Sequence, residues 1–122
     1  MSDFLQQMAT LSAERAAAAG QIRAGDLDKP LVPLQLGGFD VIAEIKGRSP
    51  AEGALAGADL NRIQQARQYA QGGAAEISVL TEPSRFDGAL SHLEEVAAAV
   101  ADTPVMRKDF LVEPVKVLEA RK

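Results

Sequence analysis

One hundred and twenty-two residues suffice for a domain with its own core, one that buries roughly two-thirds of the surface its unfolded chain exposes, and 47% hydrophobic with 25% charged residues is ordinary for a globular protein. Seventeen acidic against thirteen basic residues give a net charge of −4 without any Lys/Arg cluster to neutralise a phosphate backbone, which excludes nucleic acid as an expected partner. No apolar run approaches a membrane span, Asp3 replaces a basic leader, and cysteine is absent, so the expectation is a soluble cytoplasmic protein without disulfides or thiol chemistry.

Residues 3 to 19 predict a helix: Phe4, Met8 and Leu11 recur at helical spacing, and the alanine run 16–19 favours helix strongly. Gly20 and Gly25 are plausible stops. Residues 27 to 38, with Pro30, Pro33 and the Gly37-Gly38 pair, read as an extended connector. Val41 to Lys46 is a strand, apolar at nearly every position as a parallel strand covered on both faces should be. Asp59 suits an N-cap for a helix carrying Leu60, Ile63, Ala66 and Ala70, which Gly72-Gly73 ends. A second strand at 77–80, a helix marked by Leu90, Leu93, Val96 and Val100, and a third strand at 104–108 follow. Pro114 then opens another helix, where proline is tolerated. Strand and helix alternating three times predict a parallel α/β sheet. The first strand lacks the Gly-rich turn of a dinucleotide-binding sheet.

Because side chains alternate across a strand, Ile42, Glu44 and Lys46 share one face, as do Met106, Lys108 and Phe110. Lys46 and Lys108 both fall at the C-terminal ends of their strands, where barrel enzymes build their sites. The first and third strands lie about two strand spacings apart, roughly 10 Å, so two long lysines there can converge on one small anion. The competing reading is a structural Glu44–Lys46 pair beside a solvated lysine, since structural networks resemble sites. The long loop from Gly47 to Gly53 is either a ligand-binding segment or a flexible surface loop. Phe86, in the polar stretch after the second strand, either caps the core or offers a flat wall to an aromatic ligand. His92, the one histidine, has no second histidine or cysteine near it in sequence, so neither a zinc site nor an obvious base is expected.

Three strings, VIAEIKGRSPAEG at 41–53, GGAAEISVLTEPSRFDG at 72–88 and PVMRKDFLVEP at 104–114, together resemble the first three strands of indole-3-glycerol phosphate synthase, in order and at similar separations. The N-terminal helix resembles the extra helix that precedes the barrel in that family. The resemblance implies a TIM (β/α)8 barrel, incomplete here, with residues 1–39 as N-terminal helix and connector and 40–122 as the first three βα units. It also implies a carboxy-lyase of tryptophan biosynthesis, working without a cofactor or metal on 1-(2-carboxyphenylamino)-1-deoxyribulose 5-phosphate, a phosphorylated, anthranilate-derived small molecule. By the same resemblance Lys108 is the general acid that protonates the ketone oxygen. Lys46 holds the substrate carboxylate, and Glu44 organises the lysines. Ser49 and Pro50 contact substrate from the first loop, and Phe86 and Phe110 line the anthranilate pocket.

The sequence departs from the family at Ala51, where a second serine is usual, and at Glu76, where a small residue is usual; Arg48 and Glu52 add charge to the first loop. The glutamate base and phosphate loops of later strands have no counterpart, so the isolated chain is expected to be inactive and to self-associate through open strand edges. The alternatives are a non-catalytic half-barrel assembly or binding module and a barrel aldolase that uses Lys108 as a Schiff-base nucleophile.

Overall fold

The computed structural model describes residues 2–51, 53–54 and 61–122. The chain gathers into two compact units, Met1–Pro30 with Asp109–Lys122, and Leu31–Lys108.

In the first unit, α1 (Ser2–Ala18) follows the alanine-rich stretch as the spacing predicts, and buries Met8 and Ser12, one turn apart. A 3-10 turn at Ala24–Leu27 follows, outside the sequence expectation. The stretch at 109–113 leads into α5 (Pro114–Arg121), with Pro114 in the first turn. Two side chains of α1 grip the stretch at 109–110. Arg15 donates through both guanidinium ends to the Asp109 carboxylate, at 2.9 and 3.0 Å. The Ser12 hydroxyl donates to the Phe110 carbonyl, and the Phe4 ring meets Phe110 edge-on with centroids 6.3 Å apart.

The second unit is built on a parallel sheet of three strands, β1 (Ile42–Ile45), β4 (Glu76–Leu80) and β5 (Val105–Lys108), in the order β1-β4-β5. Glu44 stands opposite Ser78, which stands opposite Met106; Leu80 stands opposite Lys108. β4 is the central strand, and Ile77 to Leu80 are all buried. Its one small polar position, Ser78, interrupts the aliphatic run expected of such a strand. Ile45, Ile77 and Val79 lie on one face of the sheet, buried. Two helices cover this unit's sheet, α2 (Arg62–Gln71) and α4 (Leu90–Ala99), which contribute the buried Ala66, Leu93 and Val96.

The α2 cap is Asn61, whose side chain accepts from the Gln64 amide at 2.9 Å; Asp59 and Leu60, expected to open this helix, lie outside the described residues. Gly72 and Gly73 end it as expected, and Gly73 takes a φ of +91° that only glycine adopts freely. The loop after β1 forms a small antiparallel hairpin of β2 (Arg48–Ser49) and β3 (Gly53–Ala54). The stretch after β4, expected as a loop, holds one helical turn, α3 (Pro83–Phe86).

Candidate functional site

The Glu44 carboxylate stands at the centre of the candidate site. Lys108 donates to its Oε1 at 2.7 Å, and the Lys46 ammonium lies 3.8 Å from its Oε2. The sequence places Lys46 two residues after Glu44 on the same strand face, and sheet register brings Lys108 in from the other edge strand. To meet, Glu44 and Lys108 reach over β4, where Ser78 and Leu80 share their face. Strand spacing lets the two lysines converge on one small anion, and the carboxylate found between them is that of Glu44.

Exposure shows what this cluster can do. The side chains of Lys108, Glu44 and Lys46 are 53%, 27% and 26% exposed, so solvent and solutes reach the ammonium groups. Ammonium groups partly open to solvent favour an incoming anion. A half-exposed ion pair holds its geometry by only ~1 kcal/mol or less, so exchange of Glu44 for a ligand carboxylate or phosphate costs little.

Two contacts position Glu44. The Ser78 hydroxyl, on a residue only 2% exposed, donates to Glu44 Oε1 at 3.5 Å. The Tyr69 hydroxyl donates to the Glu44 backbone carbonyl at 3.1 Å and accepts from the Gln65 amide at 3.0 Å, which ties α2 to β1. Ser78 stands out in the sequence only as a small polar residue within an aliphatic strand, and Tyr69 carries no such signal.

The loops beside the strand ends carry the remaining candidates. Pro50 is exposed next to β2; Ser49 belongs to β2, and its side chain lies outside what is described. Phe86 ends α3 half-buried, neither wholly core nor wholly free. Glu82, fully buried, caps that turn: its carboxylate accepts from the Ser84 amide at 3.0 Å, the Arg85 amide at 2.6 Å and the Ser84 hydroxyl at 2.8 Å. Asp87 closes the turn in the left-handed region, φ 54°, and lies 3.5 Å from the Arg48 guanidinium. Gly88 follows, where an added Cβ would lie 2.5 Å from the Leu80 carbonyl oxygen and 2.6 Å from the Thr81 backbone. Phe110 belongs to the first unit, with its ring against Phe4.

Among the described residues no group of three His, Cys, Asp or Glu side chains could hold a metal ion, and no helix is long and apolar enough to cross a membrane. His92 is half-buried on α4. Burial holds its pKa below the ordinary 6.5, Arg62 pushes the same way, and Glu95 opposes them.

The family model of indole-3-glycerol phosphate synthase matches residues 8–122. The chain belongs to this family. Relatives carrying the synthase name agree with the assignment. The chain is 49% identical over 113 residues to one from Nocardioides sp., covering 88% of this chain and 43% of that protein. It is 51% identical over 84 residues to one from Methanopyrus kandleri, covering 68% of this chain and 33% of that protein. It is 44% identical over 121 residues to one from Mycobacterium leprae, covering 98% and 43%. The chain therefore spans less than half the length of these synthases. Its α/β sheet of three parallel strands accords with part of the family's barrel.

Proposed function

We propose that this chain provides the first three strands of a (β/α)8 barrel, and with them the cationic half of a cytoplasmic indole-3-glycerol phosphate synthase site. The reaction closes the indole ring of 1-(2-carboxyphenylamino)-1-deoxyribulose 5-phosphate and releases carbon dioxide and water. One observation carries the reading: a carboxylate at the end of β1 lies 2.7 Å from the lysine that ends β5 and 3.8 Å from a second lysine, all partly open to solvent.

The chemistry needs a proton at the ketone oxygen as the ring carbon attacks, and a cation to hold the carboxylate that leaves as carbon dioxide. Lys108 is the proposed proton donor, because an ammonium group half in solvent can be reprotonated after each turnover. Lys46 is the proposed partner of the substrate carboxylate. Glu44 holds both ammonium groups at the strand ends until substrate displaces one contact. Ser49 and Pro50, next in the chain after β1, are proposed to touch substrate, and Phe86 and Phe110 to face its aromatic ring. No step draws on a cofactor. β1 and β5 each pair along one edge among the described residues, and we include self-association through the other edge in the proposal.

The test is a chimera in which residues 8–122 replace the matching segment of the Nocardioides relative. It is expected to form indole-3-glycerol phosphate. Lys108→Ala should lower turnover roughly a hundredfold or more, the usual cost of a lost general acid. Lys46→Met should raise KM as well. A folded chimera without turnover, or full turnover in Lys108→Ala, would overturn the reading. Borohydride trapping of Lys108 with a carbonyl substrate would favour the aldolase alternative instead.

A further inference from the structure

The central strand of a parallel sheet covered on both faces is normally an unbroken aliphatic run. β4 keeps to this at Ile77, Val79 and Leu80 and departs from it at Ser78, which is 2% exposed. A hydroxyl removed from water requires an acceptor. The acceptor of Ser78 is Glu44 Oε1, at 3.5 Å, the same oxygen that receives the Lys108 ammonium. Register explains why a small residue stands there. Glu44 faces Ser78 and Lys108 faces Leu80, so the two charged side chains close their contact above the middle strand. A larger side chain at position 78 would occupy that space.

We propose that Ser78 is a positioning residue: its hydroxyl, held in the buried central strand, turns the Glu44 carboxylate so that Oε1 meets Lys108. The contact is long, so its contribution is directional rather than strong. In catalytic terms the proposal rests on the roles given above to Glu44 and Lys108. It states what selects the Glu44 rotamer, and it accounts for a polar residue where the fold calls for an aliphatic one.

The experiment needs no turnover. Trace acylation of the full 122-residue chain with acetic anhydride, quantified lysine by lysine by mass spectrometry, reads how far each amine is withheld. Lys29 and Lys122 serve as references in the same spectrum. Glu44→Gln sets the ceiling for Lys108 released from its partner. In Ser78→Ala, Lys108 acylation is expected to rise about threefold relative to the references, the factor associated with one weak hydrogen bond. A rise confined to Lys108 supports the proposal. A Lys108 rate equal to wild type in Ser78→Ala overturns it, as does a rise shared by the buried Lys116, which would report a loosened fold. A Glu44→Gln chain with unchanged Lys108 reactivity also overturns it, because there would be no pair to position. These rates are independent of ring closure, so an inactive chimera refutes the function and leaves this result standing.

Discussion

Two of the molecule's carboxylates that lie under basic side chains, Asp109 and Glu44, are built in opposite ways. The Asp109 side chain is fully buried and takes both ends of one Arg15 guanidinium, at 2.9 and 3.0 Å. Glu44 is partly exposed and is shared between two separate ammonium groups at unequal distances, 2.7 and 3.8 Å. A planar fork matched to a carboxylate pairs it through two parallel bonds in one fixed geometry. Two point charges on flexible stems, partly in solvent, hold it through separate contacts of unequal length. The first arrangement fixes a fold, and the second can trade partners. Counting ion pairs would treat them alike; burial and stoichiometry separate them.

The contrast breaks most directly at Arg15. Arg15→Ala takes the cation from a buried carboxylate that keeps the Phe110 amide at 2.7 Å, and urea unfolding should show a loss of ~3 kcal/mol. Lys108→Ala removes an exposed partner and should cost under ~1 kcal/mol of stability whatever it does to turnover. Equal losses would erase the distinction. Gly88→Ala asks whether the Glu44 unit is as tightly built elsewhere. A methyl group forced against the Leu80 and Thr81 backbone should cost ~2 kcal/mol, because backbone, unlike a flexible side chain, cannot step aside. Tolerance of alanine there, seen as an unchanged unfolding midpoint, would mean that the turn after β4 shifts freely.

The smallest expected effect is at His92. Its pKa in the fold lies below the ordinary 6.5, so the unfolded chain binds the proton more readily. Stability is therefore fully present above 6.5 and falls as pH drops from there through the lowered folded value. Denaturation midpoints measured from about pH 7.5 down to about pH 5 should decline by less in His92→Gln. An identical slope in the variant would assign the acid sensitivity to other groups.

Much of this was legible in the sequence, for identifiable reasons. The long α1, the three strands and the helices between them follow from periodicity, and their ends from glycine pairs and prolines. The Glu44–Lys46 relation follows from alternation along one strand. The third member, Lys108, required only the topology of a parallel sheet to come within reach. What escaped is of two kinds: elements too short to show a pattern, and hydroxyls whose partner is distant in sequence. The one-turn α3 is hidden because its cap is a buried glutamate, Glu82, where a surface residue would be assumed. The β2–β3 hairpin is two residues a side, too short for any pattern to show. The hydroxyls of Ser78 and Tyr69 acquire meaning only when Glu44 is placed beside them. The roles of Ser49, Pro50 and Phe110 rest on the resemblance, Phe86 is also readable as a core cap or a flat wall in a polar loop, and the proposed contacts of all four lie with a substrate.

Tyr69 is the single tyrosine of a chain without tryptophan, and its hydroxyl is bonded to the main-chain carbonyl of Glu44. Near-ultraviolet absorbance and fluorescence excited in the tyrosine band therefore have one dominant source, attached by a hydrogen bond to the strand that bears the candidate carboxylate. No label needs to be introduced. A small shift of β1, whether from an anion entering between the lysines or from an early stage of unfolding, changes the environment of that phenol. The protein thus carries its own optical gauge at the place where its chemistry is proposed to occur.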